Sequence, residues 1–179
     1  MRDMGIISKL FSENLPTDVL DLLTSQHAEV DGLFERLEAG SGERRALLLE
    51  LGDKLGAHAA VEETIFYPAV MAEETKDLLH ESVEEHLAIK RTLADLLTLK
   101  LDDDTFKAKL SVLQENVSHH AHKEEEHKLF PIVRRLLNAD ERAGLGNAVL
   151  AKFEELLASH PAKNIPAETR TAAPLPPVG

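Results

Sequence analysis

The chain has 179 residues, a formal net charge of −12 and no cysteine. The acidic balance argues against binding to nucleic acid or to anionic membrane surfaces, because both would repel it. Lack of cysteine excludes disulfides, thiolate nucleophiles and sulfur-ligated metal sites, so any metal must be bound through nitrogen and oxygen, which suits iron, manganese or zinc. No apolar run approaches the roughly 20 residues of a membrane span, so we expect a soluble, cytoplasmic protein.

Apolar residues recur at helical spacing in five successive segments. Asn14-Leu15-Pro16-Thr17 starts the first helix, and a glycine-rich stretch at 39–42 ends it. The other predicted helices cover about 43–71, 76–99, 104–137 and 140–159, with Pro68 and Pro131 at matching places in the second and fourth. Four long helices with short connections predict an all-α, up-down-up-down four-helix bundle with an extra C-terminal helix.

The chain divides into four parts on this interpretation. These are an N-terminal lead-in at 1–14, the bundle at 15–138, the additional helix at 139–160 and a Pro/Ala-rich tail at 161–179. The tail offers little to bury, and we expect it to be mobile or loosely docked.

An internal repeat places histidines on the core-facing side of the helices. His27 and His86 are each followed by apolar residues three, seven and ten positions later. His58 and His120 each end a matching apolar series in the second and fourth helices. Because the apolar face of a bundle helix points inward, we expect the four imidazoles to meet in the core.

Carboxylates accompany two of these histidines. Glu62 lies four residues after His58, which puts both side chains on one helix face. In the fourth helix, two different histidine–glutamate pairs could provide the metal ligands. His122 and Glu126 keep the regular spacing of four, whereas His120 and Glu125 are five apart and can face one centre only if the helix widens locally, as in a π-bulge. Alignment of the two proline-containing stretches, FYP and LFP, favours His120 with Glu125.

Two carboxylates and four imidazoles exceed what a single tetrahedral zinc needs, and they suit two ions with bridging glutamates. Pro68 is expected to kink the second helix near its end. Tyr67, the only tyrosine, is interpreted first as a packing residue beside this kink, and a role at the metal, either as a ligand or through one, is the alternative. The predicted metal ligands are His27, His58, Glu62, His86, His120 and Glu125, with His122 and Glu126 as the alternative pair in the fourth helix.

With these motifs the chain resembles the hemerythrin-like, or HHE cation-binding, domain family over about residues 15–138. The resemblance implies a four-helix bundle around two non-haem iron ions in an Fe–O–Fe type centre. It also implies that the carboxylates follow their histidines by four and by five residues, as Glu62 and Glu125 do here. Members of the family carry or sense oxygen, store iron, or handle peroxide and nitric oxide.

One departure from the oxygen carriers of that family concerns the third helix. They place two histidines four apart there, whereas Ser82 and Lys90 stand one turn before and after His86. A missing imidazole leaves an open coordination position, which favours reactive chemistry over simple oxygen carriage.

We therefore expect redox or detoxifying activity toward O2, H2O2 or nitric oxide in a monomer or weak homo-oligomer with a role in oxidative stress. The reaction would be peroxidase- or catalase-like, or a reduction of nitric oxide. The alternative is an oxygen- or iron-binding, sensing or storage protein without catalysis.

Overall fold

The computed structural model describes residues 17–40 and 42–179, so the lead-in at 1–14 and the start expected at Asn14–Pro16 lie outside it. The described residues form helices and no strand, and the predicted all-α bundle with an extra helix is confirmed. Helix α1 is Val19–Glu38, α3 is Lys76–Thr98 and α5 is Ala139–Ala158. Helix α2 comprises Arg44–Val61, a π-helical segment Glu62–Phe66 and Tyr67–Ala69. Helix α4 comprises Phe106–Ser118, a π-helical segment His119–Leu129 and Phe130–Leu136.

Local side chains fix the ends of the helices. The carboxylate of Asp18 caps α1 by accepting a hydrogen bond from the Leu20 N–H at 2.9 Å. Asn138 begins α5 with a reciprocal capping box, in which its side chain and that of Glu141 each accept a backbone N–H of the other residue. After α1 the chain turns at Gly40, whose φ of 68° is a conformation that a residue with a Cβ rarely adopts.

Both π-helical segments end just before a proline inside a helix. Pro68 and Pro131 each lack an N–H, and a proline ring clashes with the carbonyl four residues earlier, here that of Thr64 and His127. A locally wider turn relieves such a clash. The widening predicted between His120 and Glu125 is therefore present, whereas that in α2 was not predicted, because Pro68 was interpreted as a kink.

The bundle core consists of two apolar clusters, which the polar residues described below separate. One contains Leu23, Val61, Val83 and Leu129, and the other contains Val30, Leu55, Ile89 and Val117. Helix α5 packs against α1 and α2 outside the four-helix bundle. None of the helices in the described residues is long and apolar enough to cross a bilayer.

The expectation of a mobile or loosely docked tail is wrong for its first part. Pro161–Glu168 forms a 3-10 helix that packs against α2 and α3. Ala162 and Ile165 are only 5% and 1% exposed. The composition of the tail led to the wrong expectation. Two buried apolar side chains, Ala162 and Ile165, are enough to dock this short segment in a groove of the bundle.

Candidate metal centre

The six side chains predicted as ligands meet in the middle of the bundle, and all are buried. We call them the central cluster: His27, His58, Glu62, His86, His120 and Glu125. Helix α1 supplies one residue, α3 another, and α2 and α4 two each. Their nitrogen and oxygen atoms form two groups that share Glu62, and the atoms of each group lie within 4.8 Å of one another. One group consists of His27, His58, Glu62 and Glu125. The other consists of Glu62, His86 and His120.

The imidazoles approach in two pairs through their Nε2 atoms. The Nε2 atoms of His27 and His58 are 3.2 Å apart, and those of His86 and His120 are 2.9 Å apart. The rings within each pair are inclined by 68° and 67°. Each pair thus presents two ring nitrogens to one point, and the two pairs come from α1 with α2 and from α3 with α4.

Each imidazole is held from behind by a polar side chain that contacts its Nδ1. We call these four side chains the outer partners. The pairs are His27 with Glu126 at 2.7 Å, His58 with Gln26 at 2.7 Å, His86 with Glu63 at 3.0 Å and His120 with Glu85 at 2.7 Å. All four contact atoms of the partners are oxygens, so Nδ1–H is the donor in each case.

The outer partners form a closed ring around the bundle. Gln26 of α1 holds the histidine of α2, Glu63 of α2 holds that of α3, Glu85 of α3 holds that of α4, and Glu126 of α4 holds that of α1. Every helix therefore orients the imidazole of the next helix. Hydrogen bonds of this kind fix the tautomer and ring orientation of metal-ligating histidines.

The ring determines what can lie between the imidazoles. With the proton on Nδ1, a neutral histidine presents a bare lone pair at Nε2. Two such lone pairs facing each other at 3.2 Å or 2.9 Å repel unless a cation, either a proton or a metal ion, lies between them. Each imidazole pair is thus a candidate site for a cation, whether a proton or a metal ion.

The two carboxylates complete these sites. Glu62 Oε1 lies 3.1 Å from His58 Nε2, and its Oε2 lies 3.2 Å from His86 Nε2, so this one side chain reaches both imidazole pairs. Glu125 Oε2 lies 3.1 Å from His27 Nε2. Glu62 Oε1 and Glu125 Oε2 are buried without a hydrogen-bond partner. Buried carboxylate oxygens require a partner, and a cation bound by the neighbouring imidazoles would supply it.

Tyr67 lies within the cluster and not merely beside the proline. Its hydroxyl donates to Glu125 Oε1 at 2.8 Å, and it lies 3.3 Å from Glu62 Oε2 and 3.4 Å from His86 Nε2. The side chain is fully buried, and burial together with the charges of Glu125 and Glu62 raises its pKa well above the usual value. The hydroxyl therefore keeps its proton and remains a donor at the edge of the cluster.

The carboxylates shift the histidines toward the charged form. Burial alone would lower the pKa of His27, but the carboxylates of Glu125 and Glu126 outweigh it and raise this pKa to about 9. Burial opposes the charge of His120 too, yet Glu125 and the neighbouring carboxylates raise its pKa to about 10. The protonated form of both rings is thus favoured.

The alternative pair in α4 lies outside the central cluster. His122 is about one-third exposed, and it contacts Asp31 through Nε2 at 2.9 Å and Glu126 through Nδ1 at 3.1 Å. Glu126 serves as an outer partner of His27. The structure thus brings His120 and Glu125 together with the other predicted residues and does not bring His122 there. That these six residues bind metal remains a prediction.

Sequence reasoning missed the outer partners and gave Tyr67 too little weight. A signal for the partners exists, because each one is the sequence neighbour of a central residue: Gln26-His27, Glu62-Glu63, Glu85-His86 and Glu125-Glu126. Adjacent residues on a helix point about 100° apart, from 3.6 residues per turn, so such a neighbour faces the adjoining helix. The sequence does not reveal which helix that is.

Comparisons with known proteins identify a family and a similar fold. The family model described as the hemerythrin HHE cation binding domain matches residues 18–133. Among solved structures, a hemerythrin HHE cation binding domain-containing protein from Mycobacterium kansasii is similar, with a TM-score of 0.72 and 23% sequence identity. The similarity covers 86% of this chain and 94% of that chain. No match was found among the curated proteins.

Proposed function

This chain belongs to the hemerythrin HHE cation-binding domain family, and from that premise we propose that it binds two non-haem iron ions in the central cluster. The observation that carries the proposal is the convergence of four Nδ1-anchored imidazoles on two carboxylates with unpartnered buried oxygens. Nitrogen and carboxylate oxygen suit iron, and a carboxylate that reaches both groups suits a pair of ions.

The residues divide into those that would hold the ions and those that would orient them. His27, His58 and Glu125 would hold one ion, His86 and His120 the other, and Glu62 would bridge the two. The outer partners keep each imidazole in the Nδ1–H tautomer, so that Nε2 is free for the metal. Bound iron would supply redox chemistry and polarise a small oxidant.

We further propose that the reaction partner is a molecule of only a few atoms, such as O2, H2O2 or nitric oxide. A cavity of about 30 Å³ adjoins His27, His58, His86 and His120. One water molecule needs roughly 10–15 Å³ of such space, so the cavity suits a ligand of only a few atoms. The Tyr67 hydroxyl donates to Glu125 Oε1 and would orient this carboxylate toward an ion.

The third helix supports reactivity over simple oxygen carriage. Where the oxygen carriers have a further histidine, Ser82 and Lys90 stand instead. Ser82 is buried, and Lys90 Nζ donates to both oxygens of Glu63 at 3.0 Å. Neither side chain replaces an imidazole, so an ion held by His86 and His120 would have fewer nitrogen ligands than in the oxygen carriers and would have room for a reactant.

Consumption of H2O2 by the iron-loaded protein tests this function. We expect turnover by the wild type and its loss in His86→Ala, since this change removes an imidazole from the ion with fewer ligands. The matched control is His127→Ala, an exposed histidine of α4 that should leave turnover unchanged. Iron-loaded wild type that consumes neither H2O2 nor nitric oxide but forms a stable O2 adduct would refute the catalytic proposal and favour a binding or sensing protein.

A further inference from the structure

The small cavity beside the imidazoles has apolar walls from four long helices and one wall from elsewhere. Val30, Leu55, Ile89, Leu93 and Val117 line it from the bundle. The remaining apolar wall is Ile165 of the 3-10 helix, which is 1% exposed and belongs to the same apolar cluster. The C-terminal segment thus contributes a side chain to the pocket in which a small ligand would lie.

Helix α2 offers a groove fitted to this segment. A Cβ placed on Gly52 would lie 3.0 Å from the Cβ of Ala162, and one placed on Gly56 would lie 3.2 Å from Cδ1 of Ile165. Two glycines one turn apart therefore leave the space that the segment fills. A Cβ at Gly56 would require Ile165 to shift by a few tenths of an ångström.

Polar contacts anchor the segment on both sides of Ile165. The Asp53 carboxylate accepts hydrogen bonds from the Ala162 N–H and from His160 Nδ1–H, each at 2.9 Å. Beyond the segment, Arg91 donates to the backbone carbonyls of Thr169 at 3.0 Å and Arg170 at 3.2 Å. The segment is thus held at both ends with Ile165 between the anchors.

Lys90 connects the segment with the ring of outer partners. Its ammonium lies 3.3 Å from Glu168 Oε2 and 3.0 Å from Glu63, the outer partner of His86. Lys90 also lines the cavity and is 7% exposed. The C-terminal segment therefore contacts both the apolar wall of the cavity and the groups that orient one imidazole.

We propose that Ile165 determines the size and the rate of entry of the ligands that reach the centre, with Pro161–Glu168 acting as a closed cover over the cavity. This inference rests on the proposed function for its ligand. A ligand enters when the segment lifts, and the Ile165 side chain restricts the space while the segment is docked. Ile165→Ala should therefore enlarge the cavity and ease entry.

Two measurements test the proposal, and one of them needs no metal. Xenon binds apolar cavities once they are large enough. In Ile165→Ala, xenon should shift the methyl NMR signals of Val30, Leu93 and Val117 at pressures to which the wild type does not respond. In the reduced, iron-loaded protein, the association rate of nitric oxide should rise by about tenfold, because a large-to-small change in a buried contact weakens docking by at least the equivalent of tenfold.

Two controls separate closure of the cavity from general loss of stability. Leu20→Ala truncates a fully buried residue of the other apolar cluster and should leave both the xenon response around the cavity and the nitric oxide rate as in the wild type. Ile165→Met conserves volume and should keep the nitric oxide rate near the wild-type value. Should Ile165→Ala fail to fold, Ile165→Val should show the same nitric oxide effect at about two- to threefold.

The outcomes distinguish this inference from the proposed function. A wild type that binds no iron refutes the proposed function, and the xenon response of Ile165→Ala then decides whether Ile165 closes the cavity. An unchanged nitric oxide rate in iron-loaded Ile165→Ala, or an equal rise in Leu20→Ala, overturns the inference while the iron site stands.

Discussion

At the scale of single residues, the centre depends on hydrogen bonds made behind the imidazoles as much as on the imidazoles themselves. Three outer partners are carboxylates, whereas the one that holds His58 is the amide of Gln26. Only the Oε1 atom of Gln26 is used, and its Nε2 is buried without a partner. Gln26 is therefore the neutral member of a ring that is otherwise anionic.

Gln26→Ala should weaken metal binding without removing a ligand. Loss of an outer partner at a histidine site typically lowers metal affinity by about 10–100-fold. We expect an effect of that size in a competition titration with a chromophoric chelator. Gln26→Glu, in contrast, keeps an oxygen acceptor for His58 Nδ1–H and should bind metal at least as tightly as the wild type. Equal affinity of Gln26→Ala and the wild type would show that the ring does not support the site.

Tyr67→Phe should reveal the tyrosine hydroxyl as part of the cluster. The substitution keeps the buried ring but removes the donor that lies 2.8 Å from Glu125 Oε1. A hydrogen bond to a charged group contributes about 1.5–3 kcal/mol, so the free energy of unfolding of the metal-free protein should fall by that amount. Urea denaturation measures the change. Unaltered stability would mean that Tyr67 acts only through its packing.

Most of the central residues were predictable and most of their partners were not. His27 and His86 follow from the repeated apolar spacing, and Glu62 follows from its distance to His58. For Tyr67 a packing role was favoured over a role at the metal, because a tyrosine next to a proline is usually a packing residue. The ring was not predicted because each of its hydrogen bonds joins two different helices, and their rotation about their axes is fixed only by the packed bundle.

At the scale of elements, the helix bounds follow closely from apolar periodicity and capping residues. The predicted helix at about 76–99 is Lys76–Thr98, and that at about 140–159 is Ala139–Ala158. A kink was expected at Pro68 in α2, whereas the structure has a π-helical segment just before this proline. A proline signals strain in a helix, while the neighbouring packing decides whether the helix bends or widens.

Two glycines of α5 should respond in opposite ways to alanine. A Cβ on Gly146 would lie 1.8 Å from the carbonyl oxygen of Thr17, so α5 can approach the start of α1 only with glycine there. Gly144 has nothing within 4 Å of such a Cβ. Gly146→Ala should therefore destabilise the protein by about 3 kcal/mol, the upper range for overpacking.

Gly144→Ala serves as the matched control, since it replaces the same residue type on the same helix. It should stabilise the protein by about 1 kcal/mol, because alanine is the better helix former. Thermal denaturation of both variants measures these effects. Similar stability of the two would contradict the close packing of α5 on α1.

At the scale of the whole molecule, the buried charges predict how stability depends on pH in the metal-free protein. The folded pKa values of His27 and His120, about 9 and about 10, lie above the ordinary value of 6.5. A raised pKa contributes stability that is fully present below pH 6.5 and is lost as the pH rises through the folded pKa.

The denaturation midpoint of the metal-free protein should therefore fall between about pH 6.5 and pH 10. Metal affinity should rise over the same range, because the imidazoles must release protons before they can bind an ion. Denaturation curves and metal titrations at a series of pH values measure both trends. A midpoint that stays level or rises with pH would contradict the buried histidine–carboxylate pairs.

The iron content of the purified chain tests the central claim most directly. Wild type produced in iron-containing medium should contain about two iron ions per chain by elemental analysis. The double variant His119→Ala/His127→Ala, which removes two exposed histidines of α4, should contain the same amount. The double variant His58→Ala/His86→Ala should lose most of the iron, since it removes one imidazole from each group. Wild type without bound metal, or equal iron in the two double variants, would contradict the account.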